Sequence, residues 1–367
     1  VSTLDNKETL RAIDPRGMYD AVARFPDQIR NAIDIGEGLA FGPDQYAGIK
    51  RIMLCGMGGS AIGGDLARTL LLNRLPYPMH IWRTYDLPAY VGPETLVIAS
   101  SYSGTTEETL SAFDRARKVG AKIFTLTTGG LLGELCQDHN IPMARLQGGL
   151  QPRAALGYSF VPLMLFLHRI GLSPYDADDF KALADFLESR GEKLIFESGS
   201  DDNPAKQLAL QLYGRIPIIY SGPELTDAVG TRLKGQICEN AKMPAFANYF
   251  PEFNHNELVG WKLINAIRDF LRVLILRDED DHPRISARMD IVKEIIGGEN
   301  VKVTEIRSEG SNRLQRMMSL VQFGDFVSVY LAVLNKVDPT PVSVIDYLKE
   351  QLGKAPVTGR GSGTRRT

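Results

Sequence analysis

The sequence predicts an α/β protein made of two doubly wound parallel-sheet domains in tandem. Three observations predict it. Short apolar runs of strand length alternate with helix-length segments. That alternation occurs twice, in blocks of similar size, as a coarse duplication rather than a short repeat. The length of 367 residues also suits two domains.

Residues 1–48 read as helices. The stretch from Asp20 to Leu39 carries spaced apolar positions and is expected to end near Phe41-Gly42-Pro43, where Gly42 can cap and Pro43 cannot continue. Ile52–Cys55 is the first strand, running into Gly56-Met57-Gly58-Gly59-Ser60 and a helix from Ala61 to Leu72. Met79–Trp82, Leu96–Ala99 and Ile123–Leu126 are the next strands, with Ile141–Met143 a short fifth. Ala154–Ile170 is helical, and Gly171–Asp176 has a linker's composition. The second block opens with a polar helix over Asp178–Ser189, then Asn203-Pro204, an N-cap followed by Pro at N1. Strands are expected at Ile216–Tyr220, Ala245–Ala247, Leu271–Leu276 and Val301–Thr304. Helices are expected at Val229–Lys242, Asn256–Arg268, Ile285–Ile296 and Leu314–Leu334. The division is therefore 1–172, with a helical lead-in and a phosphate loop, and 173–353, with a disordered Gly/Arg-rich tail over 354–367.

Composition narrows the function. With 44% hydrophobic and 23% charged residues the chain is an ordinary globular one. A net charge of -2 argues against broad nucleic-acid or anionic-membrane binding. No apolar run approaches the roughly 20 residues of a membrane helix, and the charged, amphipathic N-terminus has no apolar signal core. Cys55, Cys136 and Cys238 are far apart without CxxC spacing and read as reduced thiols of a cytoplasmic protein. The histidines stand singly, so no metal site is expected.

The most informative run is Thr95–Leu110, TLVIASSYSGTTEETL. A buried strand breaks into a hydroxyl-rich turn, and Glu107 opens a helix. Unpaired N–H groups and the dipole at a helix start favour an anion, the Ser and Thr hydroxyls add donors, and Gly104 allows close approach. No Lys follows the glycine, so the nucleotide P-loop pattern is absent and a smaller phosphate such as a phosphosugar fits. The same residues also suit an ordinary capped helix. Both glycine/hydroxyl loops fall at carboxyl ends of strands, where sites of such sheets lie. The second block has Ser221-Gly222-Pro223 after its first strand but the acidic Asp278–Asp281 after its third, so one phosphate site per chain is expected. The rival reading of Gly56–Ala61 is the dinucleotide fingerprint G-x-G-x-x-A. It lacks an acid at the right spacing, since Asp86 comes about 30 residues on.

Four residues are candidates for chemistry. Arg153 lies in a helix's first turn, where it opposes the dipole; it is either an exposed arginine or a cation aimed at an anionic intermediate. Glu239 faces away from the apolar stripe Val229, Leu233, Ile237, Ala241, and is either solvated beside Lys242 or turned to a cleft. His255 sits in a polar loop with a pKa range suited to proton transfer. Lys349 borders the stripe Ile345, Leu348, Leu352, and either snorkels or, partly buried, shuttles protons.

These residues fall into motifs that resemble a known family. GMGGSAIGGD at 56–65, SSYSGTTEET at 100–109, PRAALGYSF at 152–160, CENAK at 238–242, PEFNHNELVGW at 251–261 and IDYLKEQL at 345–352 are similar to the bifunctional phosphoglucose/phosphomannose isomerases. Those enzymes consist of two sugar isomerase (SIS) domains of flavodoxin-like sheet order. The resemblance covers nearly the whole chain in order, except the tail after Leu352. It implies an aldose–ketose isomerase of glucose 6-phosphate and mannose 6-phosphate, giving fructose 6-phosphate through a cis-enediolate, with no metal or organic cofactor. It implies Ser60, Ser101, Ser103 and Thr106 on the phosphate, with Gly58 and Gly59 beside them. Glu239 would be the base, Arg153 the cation for the enediolate, and His255 and Lys349 the ring-opening pair. It further implies a homodimer with His255 supplied across the interface, and Thr340 helping to accept both C2 epimers. A non-catalytic phosphosugar-binding SIS regulator is the alternative.

Overall fold

The computed structural model describes residues 3–354 and builds two parallel sheets from them. The lead-in is α1 (Lys7–Ile13), α2 (Met18–Ala23) and α3 (Phe25–Glu37). The last of these stops before Phe41, because the Gly38 N–H closes on Asp34. Gly42, with φ -88, is no left-handed cap and instead starts a 3-10 turn over Pro43–Tyr46. There follow β1 (Arg51–Cys55), α4 (Gly58–Leu70), β2 (Met79–Trp82), β3 (Thr95–Ser100), α5 (Glu107–Lys118), β4 (Lys122–Thr127), α6 (Gly130–Asp138), β5 (Met143–Arg145) and α7 (Leu156–Arg169). Pro142 has no N–H, and β5 begins two residues later than its apolar run suggests, although the Pro142 carbonyl still accepts from Thr125 at 3.1 Å.

The second half runs α8 (Ala177–Gly191), α9 (Pro204–Leu212), β6 (Ile216–Ser221), α10 (Thr226–Asn240), β7 (Phe246–Tyr249), β8 (Leu271–Arg277), α11 (Pro283–Gly298), β9 (Val303–Arg307), α12 (Arg313–Asn335) and α13 (Ser343–Lys354). The sheet orders are β2-β1-β3-β4-β5 and β7-β6-β8-β9, and every pair is parallel. Each is doubly wound, with its strand order reversing beside its first strand, at β1/β3 and at β6/β8. Helices cover both faces, which is why β3 is buried at every position and reads as an unbroken apolar run.

Two further expectations fail. Residues 256–268 do not form an α-helix but two 3-10 segments, Glu257–Leu263 and a turn beginning at Arg268. Side-chain anchors pull this stretch out of helical register. Glu257 takes the Tyr220 hydroxyl and Asn248, while buried Trp261 donates its Nε1–H to Tyr220 at 3.0 Å. The apolar stripe of α13 is not buried either: the helix has no buried residue, and Ile345, Leu348 and Leu352 are all exposed.

One apolar core joins the halves. The stripe Val229, Leu233, Ile237 of α10 is buried in the same cluster as Leu66 and Leu70 of α4. Asp227 locks that contact, accepting from Arg68 at 2.8 Å and Thr69 at 3.0 Å. Behind α10 lies α12, which is long and apolar enough by composition to cross a membrane, with mean hydropathy 1.6. The sequence reading found no such run, because Arg316 and Asp325 interrupt it. The helix is the central core element, 94% buried over its most apolar window.

Candidate active site at the first switch point

The β1/β3 switch point brings together the N-termini of α4 and α5. Neither helix start has a side-chain cap. Thr106 occupies the N-cap of α5, but its hydroxyl accepts from Ser101 Oγ at 2.9 Å instead of bonding the helix. This argues against the ordinary capped helix and leaves the first N–H groups for an anion. Ser101 is wholly buried and braces the turn, accepting also from the Gly104 N–H at 3.1 Å. Ser60, in the first turn of α4, accepts from the Tyr102 N–H at 2.9 Å, which ties the two loops together. Ser60 and Thr106 thus accept within the chain while their own O–H protons have no acceptor among the described residues. Ser103 is exposed and shares a hydrogen bond with Thr105 at 3.0 Å. Gly104 has φ +70, and a Cβ there would lie 1.8 Å from the Gly129 carbonyl oxygen, so no other residue fits. Asp86, the acid the dinucleotide reading would need, is paired with Arg115 at 2.5 Å.

The glycine loop also receives a second element. The turn Pro152–Ala154 lies so close to α4 that a Cβ on Gly59 would be 2.6 Å from the Pro152 carbonyl carbon. Gly58, with φ +50, faces open space. Arg153 at that turn is not an exposed arginine: it is 3% exposed. Its Nε donates to Asn240 at 2.6 Å, NH1 to Glu239 at 3.3 Å, and NH2 to the Pro339 and Thr340 carbonyls at 2.6 and 3.0 Å. A guanidinium carries five donors. One N–H on NH1, beside the Glu239 carboxylate, therefore has no acceptor among the described residues. Burial lowers the pKa of Arg153 from its ordinary value, with Glu239 opposing that shift.

Glu239 closes this arrangement from α10. Its carboxylate pairs with Arg153 rather than Lys242, and its side chain keeps 31% exposure. Lys242 instead bonds backbone carbonyls, those of Glu239 and, at 2.9 Å, Pro339. Burial lowers the pKa of Lys242, and the nearby Arg153 charge adds to that. Thr340 is buried, and its Oγ1 has no hydrogen-bond partner among the described residues. The sequence reading missed Asn240 and Lys242, although both lie in the CENAK motif beside Glu239. It also missed the buried Arg232, which donates to the Arg153 carbonyl at 3.0 Å.

His255 and Lys349 are not brought to this cluster. His255 is exposed in the turn Glu252–His255 and Lys349 is exposed on α13, and neither side chain has a hydrogen bond or ion pair among the described residues. At the second switch point, Arg316 of α12 lies against the acidic loop, bonding Asp278 at 3.0 Å and Glu279 at 2.5 Å and pairing with Asp280. The acidic loop after β8 is thus paired with a cation from α12, unlike the hydroxyl-rich loop after β3.

The chain has two doubly wound sheets, an uncapped helix pair at one switch point and an Arg–Glu pair joining the halves, and a family match places it in the SIS class. Residues 201–352 match the family model described as the bacterial phospho-glucose isomerase C-terminal SIS domain. The chain is 44% identical over 337 residues to a bifunctional phosphoglucose/phosphomannose isomerase of Caldicellulosiruptor bescii, covering 92% of this chain and 99% of that one. It is 38% identical to the Aquifex aeolicus protein of the same name, over 83% and 91% of the two chains. Its fold matches the tagatose-6-phosphate ketose/aldose isomerase of Escherichia coli with a TM-score of 0.68, at 14% identity over 88% and 95% of the two chains. The chain belongs to the bifunctional phosphoglucose/phosphomannose isomerase family.

Proposed function

We propose that this protein is an aldose–ketose isomerase interconverting glucose 6-phosphate and mannose 6-phosphate with fructose 6-phosphate through a cis-enediolate. The carrying observation is the Arg153–Glu239 pair at 3.3 Å, a carboxylate base beside a cation with one N–H to give. The proton to be moved lies α to a carbonyl, so its removal needs a base and a donor for the developing oxyanion. Glu239 carries the proton between C2 and C1, and Arg153 stabilises the enediolate oxygens. The substrate phosphate sits at the starts of α4 and α5, with Ser60, Ser103 and Thr106 as hydroxyl donors. Ser101 contributes by holding the turn, because its own hydroxyl is committed to Thr106. Gly58 and Gly59 let the α4 terminus approach both the phosphate and the Arg153 turn.

His255 and Lys349 open the sugar ring in this reading, and a homodimer brings them to the site. The exposure of their surroundings supports it. His255 stands on an excursion that exposes Val259, Leu263, Ile267 and Phe270 to 71%, 92%, 53% and 55%. The face of α13 that carries Leu348 is uncovered within one chain, and a second copy would bury such surfaces. The two domains divide near residues 172 and 173, ahead of α8.

A coupled assay with either aldose, without added metal, tests the activity. Glu239→Gln is expected to keep phosphosugar affinity and lose turnover by about 1,000-fold or more. Tight fructose 6-phosphate binding without turnover by the parent chain would favour the regulator instead, and an active Glu239→Gln would remove Glu239 as the base.

A further inference from the structure

We infer that Asn240, backed by Ser328, is a positioning residue for Arg153, an inference that rests on the isomerase reading above. Asn240 ends α10 directly after Glu239 and is completely buried. Its side-chain oxygen accepts from Arg153 Nε at 2.6 Å, and its Nδ2 donates to Ser328 Oγ at 2.9 Å. Ser328, on α12 and equally buried, donates its single hydroxyl proton to the Asp325 carbonyl at 2.7 Å. A hydroxyl whose proton is committed to a carbonyl can only accept from a third group. Ser328 therefore obliges the amide to turn its NH2 inward and its oxygen to Arg153. The Asp325 side chain is itself fixed by Arg232 at 2.6 Å and Gln236 at 2.8 Å. Arg232 also holds the Arg153 carbonyl, so the backbone and side chain of Arg153 are both referenced to one buried turn of α12.

The neutrality of this acceptor matters as much as its place. Arg153 bonds one carboxylate, that of Glu239, and its remaining acceptors are the Asn240 amide and the Pro339 and Thr340 carbonyls. Neutral acceptors orient a guanidinium without cancelling the charge that a developing oxyanion meets. A carboxylate at position 240 would keep the geometry and cancel the charge. An apolar side chain there would keep the charge and release the geometry. Both changes damage the transition state more than the bound substrate, whose phosphate is held elsewhere.

The test uses the full-length chain and its Asn240→Ala, Asn240→Asp, Ser328→Ala and Asn240→Ala/Ser328→Ala variants. Asn240→Ala is expected to lower kcat about 30- to 100-fold with KM within about threefold. Affinity for 5-phosphoarabinonate, an enediolate mimic, falls by the factor seen in kcat/KM, while inhibition by inorganic phosphate is unchanged. Asn240→Asp loses kcat comparably although it keeps an acceptor. Ser328→Ala loses about fivefold, and the double variant is no worse than Asn240→Ala. A folded Asn240→Ala with kcat within threefold of the parent overturns the inference. So does a matching loss of phosphate affinity, or losses that add in the double variant. If Asn240→Ala does not fold, Asn240→Asp and Ser328→Ala decide in the same way. An inactive parent enzyme refutes the isomerase reading, and crystal structures then decide the positioning role. Displacement of the Arg153 side chain in Ser328→Ala or Asn240→Asp supports it, and an unmoved side chain overturns it.

Discussion

Gly59→Ala is a small substitution expected to disable the enzyme from the opposite side of Arg153. The added Cβ would stand 2.6 Å from the Pro152 carbonyl carbon and 2.8 Å from both the Pro152 oxygen and the Arg153 nitrogen. All three are backbone atoms, so no side chain can swing away. Ordinary contact begins at 3.4 Å, and the Pro152–Arg153 backbone must therefore retreat by about 0.8 Å. The Arg153 hydrogen bonds, 2.6 to 3.3 Å long, cannot all survive that displacement. A misplacement of this size costs about 100-fold in turnover, or about 2.7 kcal/mol of transition-state stabilisation. Overpacking adds about 1–3 kcal/mol of destabilisation. The assay is kcat and KM for both aldoses beside a chemical denaturation curve. Gly48→Ala is the control: with φ +76 and nothing within 4 Å, it is strained but remote from the site. It should lose about 1 kcal/mol of stability and keep its kcat. A folded Gly59→Ala with kcat within threefold of the parent refutes the reasoning, because the Arg153 turn would then not depend on that close approach.

Other expectations follow from the second half of the chain. Burial pushes the Asp281 carboxyl up to about 6 from 3.8, although a hydrogen bond from the Asp278 N–H opposes the rise. The folded state then binds this proton more tightly than the unfolded state. Its contribution is full below about pH 4 and is lost as pH rises through about 6. Asp281→Asn keeps an acceptor for the Asp278 N–H and should be more stable than the parent by on the order of 1–2 kcal/mol at pH 7, with no gain at pH 4. Denaturation curves giving equal gains at both pH values would contradict this. A chain ending at Val342 loses α13, which buries no residue within the subunit. It should melt within a few degrees of the parent chain when both are monomeric, yet sediment as a monomer and lose turnover with Lys349. Full activity from that shortened chain would remove α13 from the site.

Much of the fold was legible because its determinants are local. Short, mostly apolar runs alternating with helix-length segments marked the strands, and β2 has the predicted bounds, Met79–Trp82. The cradle was legible for the same reason, since strand, turn and helix start are contiguous from Thr95 to Glu107. Helix periodicity misled where side chains compete with it, as at Glu257 and Trp261, whose bonds to Tyr220 draw residues 256–268 into 3-10 turns. It misled again at α13, whose apolar stripe is real but has nothing to pack on within one chain. Of the expected tail over 354–367, Lys354 belongs to α13 instead, and residues 355–367 lie outside the described residues.

The chemistry divides along the same line. Residue types and motif spacing nominated Arg153 and Glu239, but pattern could not distinguish a buried arginine from a solvated one. Only the packing of α4, α10 and α12 sets their side chains 3.3 Å apart across 86 residues of chain. The same packing selects Asn240, whose hydrogen-bond direction depends on Ser328, 88 residues away. Local sequence carries torsional preference and hydrophobic period. The orientation of a buried guanidinium depends on which acceptors surround it, and tertiary structure alone assembles those acceptors.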